Sequence, residues 1–428
     1  MLTLQSRLRG DPVMPQKRIR SEKGFHLSYG FAGVLLGALL FNLFTGDPRV
    51  DHWRNSVDVG QWFAVSMDGA PSPRSGAQAV WTDARVLVWG GANFSSRVAC
   101  QDVLCADGGV YDPSSDSWGP ISSAPIGRAS HSEVWTGANM IVFGGQRTID
   151  YLVGGDTYAL ETDSWRTLPE DGAPHSRARH VAAWTGSEML IWGGVGCPTD
   201  ACSDGAAYNP ETDDWRPITQ VGAPSGRLDA ASVWTGSQLL VWGGDARAPI
   251  GLLADGAAYD PVADTWQPLP RLDGFDARSL AATVWTGSEM IVWGGNCRGG
   301  PCTDGAAFRP SDRTWRRLPA QGAPTPRFAP AAVWTGSEVL IWGGDGCGSA
   351  CGDGGAYNPM ANTWRQLPID GAPGPRSGPA STWTGNAMLI WGGSDPISGE
   401  YLGDGALYVP PGFAIPLPVT PPGRPSTK

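Results

Sequence analysis

Val181-Ala-Ala-Trp-Thr-Gly-Ser-Glu-Met-Leu-Ile-Trp-Gly-Gly194 decides how this 428-residue chain is read. It is two apolar runs joined by a Thr-Gly-Ser turn, which is a hairpin signal, and it ends in a double glycine. The stretch recurs. Gly-Gly pairs begin at Gly90, Gly144, Gly193, Gly243, Gly294, Gly343 and Gly392, at intervals of 54, 49, 50, 51, 49 and 49 residues. Nine residues before each stands a Trp (Trp81, Trp135, Trp184, Trp234, Trp285, Trp334, Trp383), and seven before each Trp an Arg. Those arginines are Arg74, Arg128, Arg177, Arg227, Arg278, Arg327 and Arg376. The two spacings never vary.

Each unit continues with two shorter strands. Ala206-Ala-Tyr-Asn-Pro210 reads as a third strand and Asp214-Trp-Arg-Pro-Ile218 as a fourth, its proline placed where an outer edge strand tolerates one. Six of the seven third-strand aromatics, Tyr111, Tyr158, Tyr208, Tyr259, Phe308 and Tyr357, are followed seven residues later by a Trp. A four-stranded unit of about 50 residues with a double glycine and spaced aromatics resembles the kelch repeat, whose copies form β-propeller blades. The resemblance covers residues 59–409 and implies an all-β fold: a seven-bladed β-propeller of four-stranded antiparallel blades. Phe143, where other units have Trp, and Phe308, where others have Tyr, are small departures.

The seventh unit has Tyr408 but no Trp seven residues later. Gln61-Trp-Phe-Ala-Val65, followed by Asp68-Gly-Ala-Pro71, copies the pattern of Ser164-Trp-Arg-Thr-Leu168 and Asp171-Gly-Ala-Pro174. An outer strand supplied from the N-terminal side is therefore expected to close the ring, which leaves no open sheet edge between blades.

Before the repeats lies a basic segment, residues 1–26, with Arg7, Arg9, Lys17, Arg18, Arg20 and Lys23. Leu27 to Phe44 is 18 residues without a charge, long enough to span a bilayer. A transmembrane signal-anchor helix is expected over residues 27–46, with the basic side in the cytoplasm and the repeats outside. A cleaved signal peptide is the competing reading. A linker (47–58) and a Pro-rich tail (410–428) flank the repeats.

All eight cysteines fall in local pairs between a Gly-Gly and the third strand: Cys100 with Cys105, Cys197 with Cys202, Cys297 with Cys302 and Cys347 with Cys351. Four small disulfides outside the cytoplasm are expected, with zinc as the rival reading. Residues 1–50 carry 7 basic and 3 acidic side chains, leaving 24 against 38 beyond them, a net of −14. No lysine stands between Arg49 and Lys428. Such a surface is a poor partner for nucleic acid.

Recognition is expected where the sequence varies. From Gly-Gly to the third-strand aromatic the distance runs 21, 14, 15, 16, 14, 14 and 16 residues, longest at Ala92 to Ala106. The seven arginines open the inner strand on that same face. Asp107, Asp204, Asp255, Asp304, Asp353 and Asp404 stand four residues before the aromatic; the second unit has Gly154 there and Asp156 two positions on. The ring can be read as guanidinium forks gripping a carboxylate or sugar acid. Its recurrence in every unit favours a second reading, Arg–Asp pairs and Arg–carbonyl bonds that lock neighbouring blades. Kelch-family ligands are often held by arginines at similar places, so the resemblance keeps the first reading as the alternative.

The leading expectation is a membrane-anchored, non-enzymatic interaction module for a protein, peptide or glycan. The alternative is an extracytoplasmic carbohydrate-active propeller, a sugar epimerase or galactose-oxidase-like oxidase. His131 and His180, each three residues after an Arg, could line the channel and bind a metal, but R-x-x-H is itself a kelch feature. G-x-S-x-G, H-E-x-x-H and phosphate-loop motifs are absent. No catalytic residue, metal or cofactor is expected.

Overall fold

The structure, a computed structural model, describes residues 59–95, 100, 103–147, 150–198, 200–348 and 351–414. The expected basic segment, membrane helix and linker lie outside the described residues, as does the tail beyond 414. Among the described residues no helix is long and apolar enough to cross a membrane.

The quoted stretch forms the two inner strands of one sheet, Val181–Trp184 and Met189–Trp192, joined in register from Val181↔Trp192 to Trp184↔Met189. In the turn, the Glu188 N–H donates to Thr185 Oγ1 at 2.9 Å and Gly186 takes φ +101°. Gly205–Asn209 and Asp214–Pro217 complete the sheet as its third and fourth strands. The second strand is apolar at every position because both its faces are covered: Met189, Leu190, Ile191 and Trp192 are all buried. A strand packed on both sides reads as a continuous hydrophobic run rather than an alternating one.

Seven such four-stranded antiparallel sheets occur among the described residues. We number them one to seven from their inner strands: Gln78–Trp81, Ser132–Trp135, Val181–Trp184, Ala231–Trp234, Ala282–Trp285, Ala331–Trp334 and Ala380–Trp383. Each inner strand contacts the next, and Gln78–Trp81 contacts Ala380–Trp383, so the series closes on itself. In sheet seven the outer strand is Gln61–Ala64, paired with Gly405–Val409 from Gln61↔Val409 to Ala64↔Ala406. Residues from opposite ends of the repeat region thus share one sheet.

The core is a series of layers between neighbouring sheets. Between sheets three and four, Leu190 and Trp192 meet Leu239, Val241, Tyr259 and Trp266. The rings of Trp192 and Trp266 lie 5.2 Å apart. Six of the seven fourth-strand Trp also tie the incoming linker, as where Trp215 Nε1 donates to Pro169 O at 2.9 Å and Trp62 Nε1 to Pro368 O at 2.8 Å; Trp364 Nε1 in sheet six has no such partner. An indole that buries its rings and spends its one donor on a backbone carbonyl suits this place.

Candidate functional site

The seven arginines sit where the inner strand begins, and their side chains are at most 3% exposed. In sheet three Arg177 Nη1 donates to Gly193 O and Asp204 O, both at 3.0 Å, Nε donates to His175 O at 2.9 Å, and Nη2 pairs with the Asp204 carboxylate at 3.0 Å. The same fork recurs in every sheet, with Nη1 at 2.7–3.3 Å from the first-glycine carbonyl. In sheet two, Arg128 finds Gly154 O at 3.2 Å and pairs at 2.8 Å with Asp156, which takes the part played elsewhere by the earlier Asp. Burial pulls the pKa of Arg74, Arg177, Arg227, Arg278 and Arg327 down, and the paired Asp opposes it.

The arginine backbone joins one sheet to the next. The second glycine of each pair donates its N–H to the Arg carbonyl of the following sheet at 2.8–3.1 Å, and Gly393 to Arg74 closes the circle. The double glycine follows from this approach. Gly193 and Gly194 have φ +74° and +97°, and a Cβ on Gly193 would lie 2.8 Å from Arg227 O. No other residue supplies both the left-handed backbone and the space.

The expected Arg and Asp positions are therefore brought together in pairs, but with unequal access. The guanidiniums are enclosed, whereas Asp107, Asp204, Asp255, Asp304, Asp353 and Asp404 are 30–46% exposed. Between the second-to-third-strand connections of sheets three and four lies a cleft of about 550 Å³ lined by Asp200, Asp245, Arg247, Ala248, Pro249 and Gly251. Arg247 Nε meets Asp200 Oδ2 across it at 3.0 Å.

The four expected cysteine pairs are disulfides: Cys100 to Cys105, Cys197 to Cys202, Cys297 to Cys302 and Cys347 to Cys351. Each lies within a second-to-third-strand connection on this same face. Cys100, Cys105, Cys202, Cys302 and Cys351 are buried, so these sulfurs are not surface contact groups. The reason is a backbone bond. The N–H groups of Cys105, Cys202 and Cys302 donate to the second-glycine carbonyls of Gly91, Gly194 and Gly295 at 2.8–2.9 Å, which draws the second cysteine down onto the sheet. Cys197, Cys202 and Asp204 cluster as metal ligands might, but both sulfurs are spent on each other, against the zinc reading.

Two residues after each Arg the backbone turns left-handed again, at Gly76, Ser130, Arg179, Asp229, Leu280, Ala329 and Gly378, with φ from +49° to +68°. Bonds such as Arg179 N–H to Ser130 O (3.0 Å) and Ala329 N–H to Leu280 O (2.8 Å) run from sheet to sheet. This inner rim has one backbone geometry and unlike occupants. Arg179 and Asp229 form a bidentate ion pair on it.

Sheet two departs further from the repeat. His131 and Glu133 are three and five residues after Arg128, where sheet one has Ala77 and Ala79. Their side chains are 0% and 3% exposed, and His131 Nε2 lies 3.9 Å from Glu133 Oε2. Neither ring nitrogen of His131 and neither oxygen of Glu133 has a hydrogen-bond partner. Burial, with the Arg128 charge adding to it, pushes His131 down to about 3, and burial lifts Glu133 well above the usual carboxylate range. Burial thus works against the charged form of both groups. His180 is likewise pushed down to about 3, by desolvation and then by the Arg177 and His131 charges, and its Nε2 lies 2.7 Å from Ser132 Oγ. The R-x-x-H spacing marks both histidines in the sequence, but no motif marks Glu133. Its signal is visible only when inner strands are aligned: the fifth residue after Arg is Ala79, Glu133, Ala182, Ser232, Thr283, Ala332 and Ser381.

On the opposite face, arginines of fourth strands reach the third-strand tyrosine of the next sheet: Arg166 to Tyr208, Arg216 to Tyr259, Arg316 to Tyr357 and Arg365 to Tyr408, at 2.6–3.3 Å. Where sheet five has Phe308, the preceding sheet has Gln267 in place of the Arg. The loss of the hydroxyl and of its partner coincide.

The sequence matches the family model described as the KLHDC2/KLHL20/DRC7 Kelch-repeats domain over residues 109–275 and 230–410. A search of curated proteins gave no match.

Proposed function

The chain belongs to the kelch-repeat family, and on that premise we propose that residues 59–409 are a seven-bladed propeller acting as a protein-interaction module. The observation that carries this reading is the division of labour on one face. The guanidiniums are consumed by internal bonds, while half-exposed carboxylates, the unlike rim residues and the disulfide-pinned connections are left to meet a partner. Loops of varied sequence on a rigid scaffold are where binding is usually built. In this reading Asp107, Asp204, Asp255, Asp304, Asp353 and Asp404 belong to the ligand face, and Arg74, Arg128, Arg177, Arg227, Arg278, Arg327 and Arg376 hold it in shape. The partner is a protein, peptide or glycan.

Four disulfides fit an oxidising compartment outside the cytoplasm. With the charge-free run from Leu27 to Phe44, this supports a propeller held at the outer surface of a membrane by an N-terminal anchor. An array of peptides, proteins and glycans probed with the full chain tests the function. Binding is expected to be lost when the sheet-four connection, residues 245–253, is replaced by the shorter sheet-six connection. Binding that survives replacement of every second-to-third-strand connection would refute the assignment of this face. The enzyme alternative has one observation in its favour, the break of the repeat at His131 and Glu133.

A further inference from the structure

The repeat supplies its own control for sheet two. Ser132, four residues after Arg128, reaches into the junction with sheet three and meets His180, which stands three residues after Arg177. One junction earlier, Gln78 holds the Ser132 position and His131 the His180 position. His131 packs against sheet one, its ring 5.0 Å from Trp89 and its Cε1 2.6 Å from where a Gly90 Cβ would lie. Glu133, two residues on and inside the strand Ser132–Trp135, shares that side of the sheet. The junction between sheets one and two thus gathers an imidazole, a carboxyl group and the position of an amide at the inner strands.

His131 has a counterpart in His180 of sheet three, but no other sheet has a carboxyl group at the Glu133 position. Sheet one has Ala77 and Ala79 at the same places and makes the same Arg–glycine knot. Leaving a buried polar group unsatisfied is costly, and here four buried atoms on two adjacent side chains lack partners. Breaks of pattern at such a place concentrate at functional or strained sites.

We propose that His131 and Glu133 bind a divalent transition-metal ion between sheets one and two, with the Gln78 amide oxygen as a third donor. The 3.9 Å between His131 Nε2 and Glu133 Oε2 is within the span of two ligands bound to one ion at about 2.0–2.2 Å each. One imidazole with two oxygen donors suits zinc or another borderline ion rather than calcium, which takes only oxygens. Metal ligands bind in their deprotonated forms, so affinity should fall as the pH is lowered. Bound, the ion would tie sheet one to sheet two across a junction that has no Arg–Tyr contact, because Gly119 stands where Arg166 stands in the next sheet.

The full chain, stripped with a chelator and dialysed against zinc sulfate, is expected to retain one equivalent. Glu133→Ala and His131→Ala install residues that sheet one already carries, so both variants fold. Each should weaken zinc binding at least tenfold, and Gln78→Ala by a smaller factor. A wild-type chain that retains no zinc would overturn the proposal, because water alone then fills the pair. Zinc bound equally well by both alanine variants would also overturn it, by placing the ion elsewhere.

Discussion

Sheets two and six share one frame and part company three residues later. Arg128 and Arg327 make the same fork, Nη1 to the first-glycine carbonyl at 2.7 and 3.1 Å, and both arginine carbonyls receive the previous sheet's glycine N–H. Sheet six then continues Pro330-Ala-Ala-Val-Trp334, whereas sheet two continues His131-Ser-Glu-Val-Trp135. Sheet six also pins its connection with Cys347–Cys351, and sheet two carries no cysteine. The knot that holds the ring is made of backbone carbonyls, glycines and a guanidinium, and is indifferent to the side chains beside it. Polarity beside it can therefore serve binding without endangering the fold.

The sharpest way to break the comparison is to exchange its residues. Ala332→Glu would place an unpaired carboxyl in sheet six and is expected to cost about 3 kcal/mol in equilibrium denaturation. Glu133→Ala, in metal-free protein, should cost nothing or stabilise. Equal losses in both variants would mean that Glu133 is part of the frame.

The glycines come next. A Cβ on Gly144 would lie 2.3 Å from Arg177 O, while one on Gly343 would lie 3.2 Å from Arg376 O. Both positions have positive φ. Gly144→Ala is expected to cost about 3 kcal/mol and Gly343→Ala nearer 1–2, read as a difference in melting temperature. Removing Cys347–Cys351 by a double Ser substitution should cost about 2 kcal/mol, since only a short loop is freed in the unfolded chain.

Acid should separate the sheets as well. His131 and His180 are held down to about 3, while an unfolded imidazole titrates near 6.5. Their depressed values give stability that is present above about pH 6.5 and lost as pH falls toward 3. Each contributes at most about 1.4 kcal/mol per pH unit. Glu133, held up, acts in the opposite sense and loses its contribution as pH rises. His131→Gln should flatten the acid limb of a stability–pH curve, and an unchanged limb would place the titration elsewhere. The smallest effect belongs to the far face: Arg365→Met, which removes the bonds to Glu338 and Tyr408, should cost about 0.5–1 kcal/mol.

The repeat was legible because its spacings are covalent facts. Arg to Trp to Gly-Gly gave the inner hairpins, and Gln61-Trp62 announced the strand that pairs with Gly405–Val409. The disulfides were legible from local cysteine pairs. Access was not. Spacing alone could not tell that Cys105 and Cys302 would be buried against the sheet, since the bonds that hold them run to Gly91 and Gly295, seven or more residues away. Seven Arg and six Asp stand at fixed spacings, yet only the three-dimensional fork shows the guanidiniums sealed and the carboxylates half open. Glu133 stayed hidden for a different reason: one acidic residue in a strand carries no meaning until the six small residues that replace it elsewhere are superposed.

The buried guanidiniums are architecture, and in the proposed function the half-exposed carboxylates and the loops beside them meet the partner. Equilibrium denaturation of the seven single Arg→Met variants tests this most directly. Each guanidinium bonds the first-glycine carbonyl and pairs with an Asp, and all but Arg128 also donate Nε to a carbonyl two residues back, so each variant should lose about 3 kcal/mol, Arg128→Met somewhat less. A variant that unfolds like the wild type would reveal a guanidinium free to grip a ligand and would contradict the account.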